Sequence, residues 1–512
     1  MPPAWEPEPS ARYSGARQTV PGKRGRTEDF SRIGTMRGSV IDQQTVNEIV
    51  NTVVARLRTE GVGGASLRPV QTLWGVYDRV EDAIAAAREA QPAWASTSKA
   101  VKERVINALR EVMHSRAEEF ALREWEETGL GRVEDKVVKV HNAARATPGL
   151  EDLEPRVWNG DKGLVVEEYA PFGVVAAVTP STHPIPVLFN SLVIIIASGN
   201  TVVFNVHPAA KRVSAYTLDL FNRAIRENGG PQNVATMAAE PTIEGAATLF
   251  RDRSIRLIAA TGGPGLVKAA FASGKKVVAA GPGNPPVLVD ETADLDRAAR
   301  NIIDGAGFDN NILCVAEKEA FVVDAVYRPF LDALARHGAV RLTKEQIEIL
   351  AAKVFSKDDQ GRMQTSRDFV GKNPSVLARA AGVNVPDSVR LLFGEAEFDC
   401  PFVQEEQMMP YLPVVRVRDV NEGIALAFKA EHGYGHTAMI HSNNLDTITR
   451  YGKTMNTSIV VVNGSSLAGL GGMAGEGTFS HTLSSPTGEG VCTPRHFART
   501  RRLSFGGTLH IV

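Results

Sequence analysis

Residues 305–324, GAGFDNNILCVAEKEAFVVD, place one of only three cysteines, Cys314, beside a polar Asp-Asn-Asn stretch and just ahead of an apolar run that reads as a buried strand. A thiol in that position is either a small hydrophobe packed in a core or a nucleophile, which needs access, a fixed backbone and a reason to ionise. The other cysteines, Cys400 and Cys492, lie far away and none has C-x-x-C spacing. That argues against a zinc site or a disulfide framework and suits a reducing compartment. His432 and His436 stand at i, i+4, a metal-binding spacing on a helix, but the intervening Gly-Tyr-Gly breaks such a helix, so no metal site is expected. ATGGPG (260–265) falls between a strand and a helix start, where backbone N–H groups can face a phosphate; a plain tight turn reads equally well. GLGGMA (469–474) matches G-x-G-x-x-A, but the following GEGTFSHTLSSPTG cannot form the required helix, so this match is discounted.

The elements that must position these groups alternate. GVVAAVTP (173–180) reads as a buried strand, and HPIPVLFNSLVIIIASG as a helix ending at Gly199. TVVFNVHP is a second strand, followed by a helix from AKRVSAYTLDLFNRAIRENGG. Residues 254–283 read as strand, Gly-rich turn, helix and strand, one βαβ unit. After Asp290 the alternation restarts and runs to NTSIVVVNGSS. Strands alternating with helices predict an α/β protein with parallel, doubly wound sheets and ligands at the strand ends.

The chain has 512 residues, which predicts two or three domains. Its 57 Lys and Arg nearly cancel 58 Asp and Glu, so bulk charge favours neither nucleic acid nor membrane as a partner. The longest apolar run, SLVIIIAS at 191–198, is far too short to span a bilayer, and MPPAWEPEPS has no apolar centre of the kind a secretory signal needs. Residues 1–38, rich in Pro, Gly, Ser and charge, are expected to be disordered. Residues 39–60 carry an apolar stripe of Val46, Ile49, Val50, Val53, Val54 and Leu57 at steps of three and four, which predicts an amphipathic helix. The glycine-rich 61–69 reads as a linker. Such a helix either docks on a partner or folds back on its own domain, and the pattern leaves both open.

TPSTHPIP, TGGPGLVKAA, AAGPGNPP, FDNNILCVAEK, EEQMMPYLPVVRV, EHGYGHTAMIHS and VNGSSLAGLGGMAGEGTFSHT, in this order and spacing, resemble the aldehyde dehydrogenase superfamily. The likeness is greatest to the CoA-acylating propionaldehyde and acetaldehyde dehydrogenases of bacterial microcompartments, and it covers roughly residues 70–512. It implies an aldehyde-dehydrogenase-like α/β fold: a Rossmann-like NAD-binding domain at 70–290, with 164–173 contributing to a small β oligomerisation arm, a catalytic domain at 291–480, and a C-terminal segment with an oligomerisation strand at 481–512. It makes residues 39–60 an encapsulation peptide that binds a shell protein, the chain a homo-oligomer (dimer or tetramer), and its location the lumen of a microcompartment in a bacterial cytoplasm.

The resemblance also assigns residues. Cys314 becomes the nucleophile, its polar Asp-Asn-Asn neighbours suiting an exposed turn, and its thiolate adds to the aldehyde to give a thiohemiacetal that loses hydride to NAD and becomes a thioester. The Cys314 backbone N–H is one expected oxyanion donor. His183 stands where the family usually has an asparagine, and a neutral imidazole can still donate one hydrogen bond. Thr179, Pro180, His207, Lys211, Thr261, Gly262, Gly263, Gly265, Gly281 and Pro282 match the family's cofactor surface, and Glu406 the position that holds the nicotinamide ribose. Hydrolytic relatives carry a glutamate just after the strand at 276–280; here Pro282 stands in its place, and no carboxylate occurs between Lys276 and Asp290. Without that base water attacks slowly, whereas the thiol of coenzyme A can take the acyl group. The alternatives are a hydrolytic dehydrogenase, an acyl-phosphate reductase on a related fold, and a microcompartment protein that has lost catalysis.

Overall fold

The computed structural model describes residues 73–472 and 474–509. The expected extension 1–38, the helix at 39–60 and the linker at 61–69 lie outside the described residues.

Two parallel sheets organise the chain. The first has six strands in the order Val76–Tyr77, Ala235–Ala238, Thr201–Asn205, Val174–Val178, Ile255–Thr261 and Lys276–Ala280. From Val174–Val178 the chain builds outward to one side and then, from Ile255, to the other, so the order reverses beside this strand. Val175 pairs with Val202 on one side and Leu257 on the other. A reversal of this kind opens a crevice at the carboxyl ends of the strands. Helices cover both faces. Val80–Ser96, Ile243–Arg251 and Pro264–Ala272 place Ala83, Ile84, Leu249, Phe250 and Val267 against Val174, Ala176 and Ile258. On the other face lies Pro184–Ala197, buried at all fourteen positions. That explains why its sequence is apolar at all positions but Asn190 and Ser191, without periodicity: no face of it meets water. Full burial of Phe189, Leu192, Ile194 and Ile195 contributes roughly 1.5–3 kcal/mol for each side chain.

The second sheet has seven parallel strands in the order Val340–Arg341, Leu392–Ala396, Tyr411–Val417, Glu319–Val323, Pro286–Val289, Thr437–His441 and Ile459–Val462. Pro286–Val289 pairs with Glu319–Val323 and Thr437–His441, so the chain crosses between sheets at 281–285, ahead of position 290. The proline-rich loop GPGNP is that crossing. A third, antiparallel sheet of Arg156–Gly160, Gly163–Pro171 and Ala498–Gly506 leaves Trp158, Leu503 and Phe505 exposed. Among the described residues, no helix is long and apolar enough to cross a membrane.

Candidate active site

A cleft of about 920 Å3 runs along the carboxyl ends of the first sheet and reaches Cys314. Four strand ends meet there: Thr179–Pro180, Asn205–His207, Thr261–Gly263 and Ala280–Pro282 all line it. Thr179, Pro180, His183, His207, Thr261, Gly262, Gly263, Gly265, Gly281, Pro282, Cys314 and Glu406, scattered over more than two hundred residues of sequence, thus face one space. Lys211 does not line it. Its Nζ lies 2.5 Å from Glu240 Oε2.

The nucleophile turn is built from polar residues, but not by exposing them. Asp309, Asn310 and Asn311 are fully buried, which corrects the expectation of an exposed turn. All three have positive φ (45°, 54° and 65°), a conformation Asn and Asp adopt more readily than other side chains. Each is braced. Asp309 accepts the Arg132 N–H at 2.7 Å and is ion-paired with Lys136 and Lys139. Asn310 accepts from Arg132 Nε at 2.9 Å and donates to the Gly371 carbonyl at 3.0 Å. Asn311 Nδ2 donates to the carbonyls of Ala306 and Glu317. The buried ammonium of Lys318 closes the turn, donating to Asn311 Oδ1 at 2.6 Å and to the carbonyls of Asn311 (3.1 Å) and Leu313 (2.9 Å). The polar run is a scaffold for Cys314, itself half-buried at the cleft wall.

Electrostatics at this wall are finely opposed. Burial, and then the nearby Glu406 carboxylate, push the Cys314 thiol up to about 12, while Lys318 and the backbone N–H groups of Cys314 and Val315 act in the other direction. Burial likewise raises Glu406 to about 7, against the pull of Lys318 and a hydrogen bond from the Gly283 backbone. Glu406 is the one carboxylate among the described residues lining the cleft. Gly283 packs so closely that a Cβ there would lie 2.8 Å from the Cys314 carbonyl oxygen.

His183 sits at the N-terminus of Pro184–Ala197, and its ring is 5.6 Å from that of His481. Burial, reinforced by Lys139, keeps both rings neutral: His183 well below the usual histidine range and His481 at about 3. His183 Nδ1 has no protein partner, so this neutral side chain has hydrogen-bonding capacity to spare at the cleft. Sequence reading passed over His481, since a lone histidine in a glycine-rich stretch carries no spacing signal; its pairing with His183 emerges only in the fold. His432 and His436 go separate ways, His432 Nε2 lying 2.8 Å from the Gln404 carbonyl oxygen and His436 Nδ1 2.9 Å from Thr437 Oγ1. Within GLGGMA, Gly471 and Gly472 are at positive φ, and the described residues 474–482 after it form no helix.

A dinucleotide fits this cleft. Pro264–Ala272 begins at Gly263 with no side-chain cap, and nothing lies within 4 Å of a Cβ at Gly263 or Gly265, so its first N–H groups are open to an anion. The buried Thr179 hydroxyl is without a protein partner. Ile243, Phe250 and Leu266 give the outer cleft an apolar wall.

Comparison with known proteins agrees with this architecture. Residues 75–347 match the aldehyde dehydrogenase family. The chain is 44% identical to an acetaldehyde dehydrogenase (acetylating) of Salmonella typhimurium, over 92% of this chain and 100% of that protein. It is 41% identical to a propanal dehydrogenase (CoA-propanoylating) of Citrobacter freundii, over 84% of this chain and 92% of the other. Among solved structures, a propionaldehyde dehydrogenase from the Clostridium phytofermentans fucose utilisation bacterial microcompartment superposes with a TM-score of 0.83 at 41% identity, covering 86% of this chain and 100% of that one. A Rhodopseudomonas palustris propionaldehyde dehydrogenase with bound CoA and an acylated cysteine gives 0.83 at 37% identity, covering 86% and 99%. By fold, by the residues gathered in its cleft and by these relatives, the chain belongs to the aldehyde dehydrogenase family.

Proposed function

We propose that this protein is a CoA-acylating aldehyde dehydrogenase that oxidises a short-chain aldehyde, acetaldehyde or propionaldehyde, to the acyl-CoA with NAD+. The observation that carries the reading is the crossing loop 281–285, which packs against Cys314 through Gly283 and holds no side-chain base. The full-length relatives named as acetylating and CoA-propanoylating enzymes support it.

In this reading the Cys314 sulfur bonds to the aldehyde carbon and the thiol proton passes to a base. Glu406, held at about 7, is half-ionised near neutrality and suited to take it. The backbone N–H of Cys314 and the neutral ring of His183 serve the oxyanion. Thr179, Thr261, Gly263 and Gly265 would hold the dinucleotide, with Glu406 toward its ribose, and bound NAD supplies the hydride acceptor that takes the thiohemiacetal to a thioester. A second thiolate then attacks the acyl carbon and Cys314 leaves as thiolate. A thiol nucleophile needs less help from the protein than water does, which suits a wall without a second carboxylate.

The same reading makes the first sheet the dinucleotide-binding unit and the second the support of the nucleophile. It also makes the exposed antiparallel sheet with Trp158, Leu503 and Phe505 a surface for homo-oligomers. Residues 39–60 would carry the enzyme to a microcompartment shell in a bacterial cytoplasm, through the stripe Val46, Ile49, Val50, Val53, Val54 and Leu57.

Product analysis with propionaldehyde and NAD+, with and without CoA, tests the function. Propionyl-CoA should form, with little free acid when CoA is omitted, and Cys314→Ser should lower turnover by several orders of magnitude. NADH formation at full rate without added thiol would refute acyl transfer.

A further inference from the structure

Behind the nucleophile turn lies a second, small cavity of about 20 Å3, walled by Phe308, Leu313, Phe479 and His481 and also lined by Lys139 and Asn142. Leu313 precedes Cys314 in the chain, and His481 lines both this cavity and the main cleft. The volume admits about one water-sized group. Within a largely apolar wall, Asn142 Oδ1 and His481 Nε2 are both buried without a protein partner, a rare condition for polar atoms in a folded protein.

The chemistry of these atoms defines what would satisfy them. An amide oxygen only accepts. The His481 ring is neutral and hydrogen-bonds the Lys139 backbone, a bond that favours its protonated form and therefore runs from ring N–H to carbonyl. The remaining nitrogen, Nε2, is then a lone-pair acceptor. Lys139 Nζ is ion-paired with Asp309, and an ammonium has hydrogens to share with a further acceptor. The cavity thus presents two acceptors and one cationic donor to one small group. A methyl group would leave both acceptors dry. An ammonium would face the Lys139 charge, and a carboxylate would meet two acceptors in a space too small for it. A hydroxyl fits: it donates to one acceptor and accepts from the ammonium.

We propose that this cavity is the subsite for a hydroxyl group carried next to the aldehyde carbon, so that the enzyme prefers short 2-hydroxyaldehydes to the matching alkyl aldehydes. The proposal rests on the CoA-acylating reading and names its substrate class. A pocket built to hydrogen-bond a substrate hydroxyl discriminates strongly against the analogue lacking it, because the pocket's own polar atoms are then left unpaired.

The test compares kcat/KM for glycolaldehyde and acetaldehyde, each with NAD+ and CoA, in the wild-type enzyme and in Asn142→Leu and His481→Phe. The wild type should favour glycolaldehyde by about tenfold or more. Each variant should bring the ratio to about one, chiefly by losing glycolaldehyde turnover. A wild-type ratio at or below one means that the cavity holds an ordered water only, and overturns the proposal; so do variants that fold and lower both aldehydes in equal proportion. If either variant fails to fold, the wild-type ratio decides alone. CoA-dependent turnover of neither aldehyde would instead overturn the acylating reading, and the subsite with it.

Discussion

The opposition between Cys314 and Glu406 makes a prediction whose sign changes with the assay. Glu406 stands second only to burial in raising the Cys314 thiol, and its own carboxyl titrates at about 7. Replacing it with glutamine removes a negative charge without much change in shape. Above pH 7, where wild-type Glu406 is ionised, the variant thiol should ionise more easily. A neighbouring like charge in a partly buried site moves an acid by about one pH unit or more, about tenfold in thiolate fraction. Below pH 7 wild-type Glu406 is itself protonated, the charge difference disappears, and the two proteins should behave alike. Alkylation of Cys314 by iodoacetamide in the cofactor-free enzyme, followed from pH 6 to pH 9, reads this directly, with Cys314→Ser as the blank. The expected result is parity at pH 6 and about tenfold faster alkylation of Glu406→Gln at pH 9. Aldehyde turnover should nevertheless fall in the same variant, because the base and the expected ribose contact are both gone. Equal alkylation rates across the range would mean that Glu406 does not sense the thiol. Slower alkylation at high pH would mean that the carboxylate promotes thiolate formation more than it opposes it, and would refute the electrostatic account.

Two further substitutions probe the same wall. Gly283→Ala would put a methyl group 2.8 Å from the Cys314 carbonyl oxygen and 2.9 Å from His436 Cγ, so turnover should fall at least about tenfold with a loss of stability of about 1–3 kcal/mol, checked by steady-state kinetics and urea unfolding. Lys318→Met removes the cation that binds Asn311 and Leu313 and opposes the rise of both Cys314 and Glu406. It should cost about 3–5 kcal/mol and move the acidic limb of the kcat/KM profile to higher pH; an unmoved limb in a folded variant would remove Lys318 from the site's electrostatics.

Local signals in the sequence were readable where one segment does one job. The stretch at 184–197 announced a helix, and the break after Thr261 announced a strand end beside a helix start. The residues around Cys314 left core packing and nucleophile both open, and the nucleophile's role came from the family resemblance. Asp309, Asn310 and Asn311 misled because polarity normally signals water; Asp309 and Asn310 are held by Arg132, Lys136 and Lys139, 170 or more positions earlier, whereas Asn311 is held within its own turn. Nothing local says that such partners exist. The crossing between the sheets was misplaced by one strand for a related reason: PVLV at 286–289 reads the same whether it closes the first sheet or sits within the second.

The least legible feature is the small cavity behind the nucleophile turn. Asn142 lies on Val133–Ala146, and His481 follows an irregular glycine-rich loop. Neither has a spacing partner, and their meeting beside Leu313 requires three chain segments to be placed by the packing of both sheets. His183 and His481 likewise acquire meaning only together, as two neutral rings near a buried lysine. The general chemistry of the site is carried by short motifs, because a thiol on a rigid turn and open N–H groups at a helix start are local inventions. Selectivity between one small aldehyde and the next is set by which buried atoms remain unpaired when the substrate arrives, and that is a property of the assembled fold.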